Sequence, residues 1–142
     1  METTAPKPSR WLVVDDDEQI LTPAARMLRH LGSAEVVACS DSSRAIDAFL
    51  ADPDSFELLV TDLEMPGLDG VELARHLRLL SPRLRVLLVT GSPRSDEELC
   101  DPDVHGLLRK PFSREDLSEE VSRLLGTDQV TADDSARSSE AA

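Results

Sequence analysis

"LLVTDLEMPGLDG" runs from Leu58 to Gly70, and its reading decides the fold. Leu58, Leu59, Val60 and Thr61 suit a strand buried on both faces, because nothing in the run alternates with a polar residue. Asp62 then ends the strand with a carboxylate. Met65, Pro66 and Gly67 form a turn. Asp69, with Glu72 three residues later, makes a capping-box opening for the helix "GVELARHLRLL". Val71, Ala74, Leu77 and Leu80 are its expected apolar stripe. The stretch is a strand, a tight turn and a helix start, with a charged side chain delivered to the strand's carboxyl end.

The same unit recurs along the chain. "WLVV" (11–14), "AEVVA" (34–38), "ELLVT" (57–61), "RVLLVT" (85–90) and "VHGLLR" (104–109) read as strands. Helix-like segments lie between them. Asp41 can cap "SSRAIDAFLA". Ser113 with Asp116 opens "REDLSEEVSRLLG", where Phe112 and Leu117 form a hydrophobic staple and Gly126 a C-cap. In "EQILTPAARMLRHLG" Pro23 calls either for a kink or for a helix beginning with Thr22 as cap and Pro23 as first residue. "SDEELC" is cut short by "DPD" at 101–103, so the fourth helix is expected to be short or irregular. Five β-α units with short connections predict an α/β three-layer sandwich. It has a five-stranded parallel sheet of order 2-1-3-4-5 and about five helices.

Composition bounds the function. The 142 residues carry 28 acidic and 15 basic side chains, a net charge of −13. That disfavours nucleic acid as a direct partner, since phosphate binding needs a basic face. Cys39 and Cys100 are too few for a disulfide framework. The N-terminus lacks a secretory h-region, and no apolar run approaches a membrane span, so a cytoplasmic protein with no membrane partner is expected. Residues 1–10 read as a disordered lead, 11–126 as the folded domain and 127–142 as a disordered acidic tail.

In such a sheet, ligands bind outside the carboxyl ends of the strands where strand order reverses, here between the first and third. The first strand ends in Asp15, Asp16 and Asp17, the third in Asp62, the fourth in Thr90 and the fifth in Lys110. Clustered carboxylates resist ionising, and a divalent cation relieves them. Hard oxygen ligands favour Mg²⁺ or Mn²⁺ over zinc. A carboxylate beside such an ion, with an amine and a hydroxyl nearby, suits a phosphoryl group, and the carboxylate can itself be the nucleophile. Asp17 is better explained as a helix N-cap than as a third metal ligand. His30 and His76 read as solvated, His105 as part of a strand and Trp11 as an anchor of the first strand.

"LVVDDDEQI", "LLVTDLEMPGLDG", "VLLVTG" and "LLRKPF", in this order, resemble a response-regulator receiver domain of bacterial two-component systems, stand-alone and chemotaxis-regulator-like. The resemblance implies a flavodoxin-like fold and makes Asp62 the phosphoacceptor. It gives Asp15, Asp16, Asp62 and the backbone carbonyl of Glu64 to Mg²⁺ (or Mn²⁺). Thr90 becomes the site hydroxyl and Lys110 the lysine, with a cis bond to Pro111. A sensor histidine kinase or phosphotransfer protein would be the donor and an unidentified downstream protein the target. The chain would catalyse only its own phosphorylation and dephosphorylation. No output domain is expected after the fifth helix. Two features depart from the pattern. Leu107 stands where receivers carry an aromatic switch residue, and the short fourth helix belongs to the same face. Two other readings remain at this stage: a receiver-like scaffold working without phosphorylation, and a haloacid-dehalogenase-like phosphatase with its nucleophile in "VVDDD".

Overall fold

The computed structural model describes residues 9–32 and 34–126. Five parallel strands form one sheet: β1 (Arg10–Val14), β2 (Glu35–Cys39), β3 (Phe56–Asp62), β4 (Arg85–Thr90) and β5 (Gly106–Arg109). Their order is β2-β1-β3-β4-β5, as the sequence predicts. Helices α1 (Glu18–Leu31), α2 (Ser42–Ala51), α3 (Gly70–Leu80) and α4 (Arg114–Leu125) complete the α/β sandwich, with a 3₁₀ turn at Pro53–Ser55 before β3.

Period-two alternation explains the layers. Trp11 and Val13 of β1, with Leu58 and Val60 of β3, face a core closed by Leu21, Leu28 and Leu31 of α1 and Leu117 and Val121 of α4. Leu12, Val14 and Leu59 face the other way, toward Ala45 and Phe49 of α2 and Leu73, Ala74 and Leu77 of α3. Both faces are apolar because both are covered, which is why the strands read as continuous runs. Trp11 is fully buried and donates its indole N–H to Glu57 Oε2 at 3.1 Å, so burial leaves no orphaned donor.

Several local expectations are corrected. β1 begins at Arg10, one residue early, and β5 begins at Gly106 rather than 104. The remainder of the expected lead and the 127–142 tail lie outside the described residues. α1 does not begin with Thr22 as cap and Pro23 as first residue. It opens at Glu18, capped by Asp17, and runs through Pro23. The tolerance has a local reason: Pro23 is exposed, and the carbonyl it fails to engage belongs to exposed Gln19, which water can satisfy. In α3 the buried stripe is Leu73, Ala74 and Leu77, while Leu80 is exposed. His105 lies just before β5 rather than within it, and its Nδ1 accepts the Val86 N–H at 2.9 Å.

Between β4 and β5, where a short or irregular fourth helix was expected, the described residues form no helix. A single turn survives, with Ser95 and Glu98 bonding each other's backbone N–H reciprocally. Arginines replace the helix as the means of fixing this segment. Arg75 and Arg78 of α3 pair with Asp101 and Asp103. The other caps are as expected: Asp69–Glu72 and Ser113–Asp116 form capping boxes, and Gly126, at φ 88°, donates to Ser122. Phe112 packs on the core that holds Leu117.

Candidate functional site

The site is built where β1, β3, β4 and β5 end. Asp15 follows β1, and its N–H continues the ladder to the Cys39 carbonyl. Its side chain is buried and fixed from two sides. Oδ1 accepts the Asp17 N–H at 2.9 Å, and Oδ2 accepts from Lys110 Nζ at 3.0 Å. Asp16 is exposed beside it. Asp17 turns away to cap α1 by accepting the Gln19 N–H, as the sequence reading expected. The chain sequence Asp15-Asp16-Asp17 thus divides into a buried anchor, an exposed carboxylate and a helix cap.

Asp62 ends β3 and is 8% exposed, so it lies at the rim but still reaches solvent. Lys110 Nζ donates to Asp62 Oδ1 at 2.9 Å. One ammonium therefore bridges the two carboxylates from β1 and β3. Burial raises the Asp62 pKa; the Lys110 hydrogen bond opposes this and the neighbouring Asp15 charge adds to it. Burial alone would lower the Lys110 pKa, but the bonds to Asp62 and Asp15 outweigh it and the net shift is upward. The ammonium stays charged while the Asp62 carboxylate carries an unmet demand for positive charge.

Oxygens of Asp15, Asp16 and Asp62 all lie within 4.8 Å of one another. Three hard oxygen donors, one of them exposed to admit water ligands, fit Mg²⁺ or Mn²⁺. The bond between Lys110 and Pro111 is cis, as the resemblance implied.

Thr90 ends β4 one residue beyond Val89, which is the register partner of Asp62. Its hydroxyl is buried and accepts the Ser92 N–H at 2.8 Å, leaving its proton available to another acceptor. Glu64 is exposed on the loop after β3. Leu107 is half-buried and packs against Leu63, Leu88 and Leu99. It has no polar atom with which to report on the site.

Sequence reasoning missed two contributors. Gly70 opens α3 so close to β3 that a Cβ there would sit 2.2 Å from the Asp62 carbonyl oxygen. The "DG" pair before the helix was the available signal, but it reads equally well as an ordinary helix start. Arg109 reaches back across the end of β4 to the carbonyls of Ser92 and Arg94 at 2.6 Å each and to Asp96 at 2.8 Å. Nothing in its sequence context announces that.

The response regulator receiver domain family model matches residues 11–122. The chain belongs to the receiver-domain family. Receiver domains are signalling modules rather than enzymes acting on a separate substrate, and the match sets the phosphatase reading aside. Chemotaxis protein CheY of Pseudomonas aeruginosa is 31% identical over 119 residues, covering 80% of this chain and 94% of CheY. Response regulator MprA of Mycolicibacterium vanbaalenii is 35% identical over 137 residues, covering 94% of this chain and 57% of MprA. The chain spans only 18% of the Arabidopsis thaliana protein ARR21. Among solved structures, response regulator protein TrrA of Thermotoga maritima, in complex with Mg²⁺-BeF, superposes with a TM-score of 0.72. It is 26% identical, with 82% of this chain and 99% of that one covered. No helix among the described residues is long and apolar enough to cross a membrane.

Proposed function

We propose that this receiver accepts a phosphoryl group on Asp62 from the phosphohistidine of a sensor histidine kinase or phosphotransfer protein, and signals by protein–protein contact. The observation that carries the reading is the convergence of Asp62 with Asp15, Asp16 and the Lys110 ammonium at one rim. Asp15, Asp16, Asp62 and the Glu64 carbonyl would hold Mg²⁺ (or Mn²⁺), which supplies positive charge to the phosphoryl oxygens when bound.

An oxygen of Asp62 attacks phosphorus in line. The bond from phosphorus to the donor breaks, and the donor imidazole or carboxylate leaves with the electron pair. Lys110 then exchanges its Asp62 oxygen for a phosphoryl oxygen while Asp15 keeps hold of the ammonium. Thr90 donates its hydroxyl proton to a second phosphoryl oxygen. Hydrolysis reverses the gain: water attacks phosphorus, and Asp62 leaves as a carboxylate. An apolar groove of about 430 Å³, lined by Ile20, Pro23, Met27, Pro111 and Phe112 beside Lys110, gives the donor protein a surface next to the nucleophile.

The reading is tested by intact-protein mass spectrometry after incubation with acetyl phosphate. A phosphoryl-sized gain that requires Mg²⁺ and vanishes with EDTA is the expected result. No gain with either acetyl phosphate or a panel of phosphorylated kinases would sink it and favour a scaffold that works unmodified.

A further inference from the structure

Leu107 raises the question of how the state of this site reaches the surface, and the residues around Arg109 supply an answer. Thr90 and Arg109 are register partners on adjacent strands, and the Lys110 N–H donates to the Thr90 carbonyl at 2.9 Å. The Arg109 side chain then turns back over the segment that leaves β4. Its Nη1 donates to the Ser92 carbonyl, and its Nη2 donates to the Arg94 carbonyl and to Asp96.

The same segment is tied to the site from within. The Ser92 N–H donates to Thr90 Oγ1, and the Arg94 N–H donates to Ser92 Oγ at 3.2 Å. A continuous chain of bonds therefore runs from the Thr90 hydroxyl through Ser92 to Arg94, and Arg109 closes it from outside. Further along, the connection is anchored independently by buried Leu99 and by the Arg75–Asp101 and Arg78–Asp103 pairs. Within residues 92–96, Ser92 and Arg94 are thus held by Thr90 and Arg109, while Ser95 is tied to Glu98 and Leu99.

We propose that Arg109 is the switch latch of this receiver, coupling the Thr90 hydroxyl to the 92–96 segment, exposed from Pro93 onward, in place of an aromatic residue at 107. The proposal rests on Asp62 being the phosphoacceptor. When Thr90 turns its hydroxyl toward a phosphoryl oxygen, Oγ1 leaves the Ser92 N–H. Ser92 is buried, so its N–H cannot remain unpaired without cost. The segment rearranges, the Ser92 and Arg94 carbonyls leave the rigid guanidinium fork, and the latch opens. Asp96, whose side chain is 83% exposed, is freed with it and changes what a partner meets at this face. Leu107 keeps its place against Leu63, Leu88 and Leu99 throughout.

The test is amide-resolved hydrogen exchange by NMR on the full chain, with Mg²⁺ alone and with Mg²⁺ plus acetyl phosphate. It compares wild type, Arg109→Ala and Arg109→Lys, with phosphorylation followed by mass. In unphosphorylated Arg109→Ala, the Ser92 and Arg94 amides should exchange about tenfold faster than in wild type, matching the loss of charge-assisted bonds. Phosphorylated wild type should show the same acceleration, and Arg109→Ala no further one. Arg109→Lys keeps the charge but not the fork, so it should stay open like alanine. Unchanged exchange in unphosphorylated Arg109→Ala overturns the latch outright. A wild type that is phosphorylated on Asp62 yet keeps its Ser92 and Arg94 protection overturns the coupling while leaving the phosphoacceptor reading intact. Absence of any phosphoryl gain strikes the phosphoacceptor reading, and the coupling built on it falls as well.

Discussion

Gly70→Ala places the sharpest demand on this account, because two independent effects predict opposite signs. Gly70 opens α3, is not among the glycines with positive φ, and its N–H donates to the Leu63 carbonyl at 2.8 Å. On backbone entropy alone, alanine at such a position stabilises by about 0.4–1 kcal/mol through the unfolded chain. The new Cβ, however, would lie 2.2 Å from the Asp62 carbonyl oxygen and 2.9 Å from Leu88 Cδ1. A comfortable carbon–oxygen contact is roughly 3.3 Å, so helix and strand must part by roughly 1 Å. Leu88 can yield by rotating, but the Asp62 carbonyl is main chain. Overpacking costs about 1–3 kcal/mol, and a backbone obstacle puts this variant at the upper end. For a domain of this size that is a drop in Tm of roughly 10 °C or more. The displaced atom belongs to the residue that carries the nucleophile, so labelling by acetyl phosphate should slow by up to about 10²-fold. Thermal unfolding followed by circular dichroism, with the labelling rate measured well below Tm, reads both. A variant as stable as wild type, reacting at the same rate, would refute the claim that Gly70 sets the approach of α3 to the site.

Asp62→Asn should raise Tm at pH 7 without divalent cations. The raised Asp62 pKa means the folded state favours the neutral carboxyl: its stabilising contribution is present below the unfolded value near 4 and is lost as pH rises through the folded value. The advantage of the variant should therefore shrink as pH falls toward 4, and a pH-independent difference would contradict the cause given. Pro23→Glu, on the rim of the apolar groove, should cut phosphotransfer from a kinase at least tenfold while leaving acetyl phosphate labelling unchanged; equal loss with both donors would remove the groove from the account. Glu64→Asn should change the rate at which the phosphoryl group is lost from Asp62 by several-fold, measured by the decay of labelled protein, because an exposed charge is removed two residues from the nucleophile; an unchanged decay would exclude it.

Much of this architecture was legible because it follows from periodicity and local chemistry. Continuous Val and Leu runs at 11–14, 57–61 and 85–90 could only be strands covered on both sides, and the structure covers them. The meeting of Asp15, Asp16, Asp62 and Lys110 at one rim was legible because a parallel sheet brings strand ends together whatever the distance along the chain. What stayed hidden depended on tertiary geometry. Pro23 lies inside α1 because the exposed Gln19 carbonyl can go without its bond, and propensity cannot foresee exposure. Leu80 fits the helical period but falls past the edge of the core, so it is exposed. "DPD" announced a short or irregular element between β4 and β5, but neither the full absence of a helix there nor the arginines that hold the segment instead could be read from it. Arg109 is the extreme case, since a flexible side chain finding two carbonyls leaves no pattern in the sequence.

The central claim is that Asp62, and no neighbouring carboxylate, carries the phosphoryl group. Borohydride reduction of the acyl phosphate formed with acetyl phosphate and Mg²⁺, followed by peptide mass spectrometry, locates it directly. The account predicts homoserine at position 62 in the wild type and none anywhere in Asp62→Asn. Reduction at Asp15 or Asp16, or labelling that persists in Asp62→Asn, would contradict it.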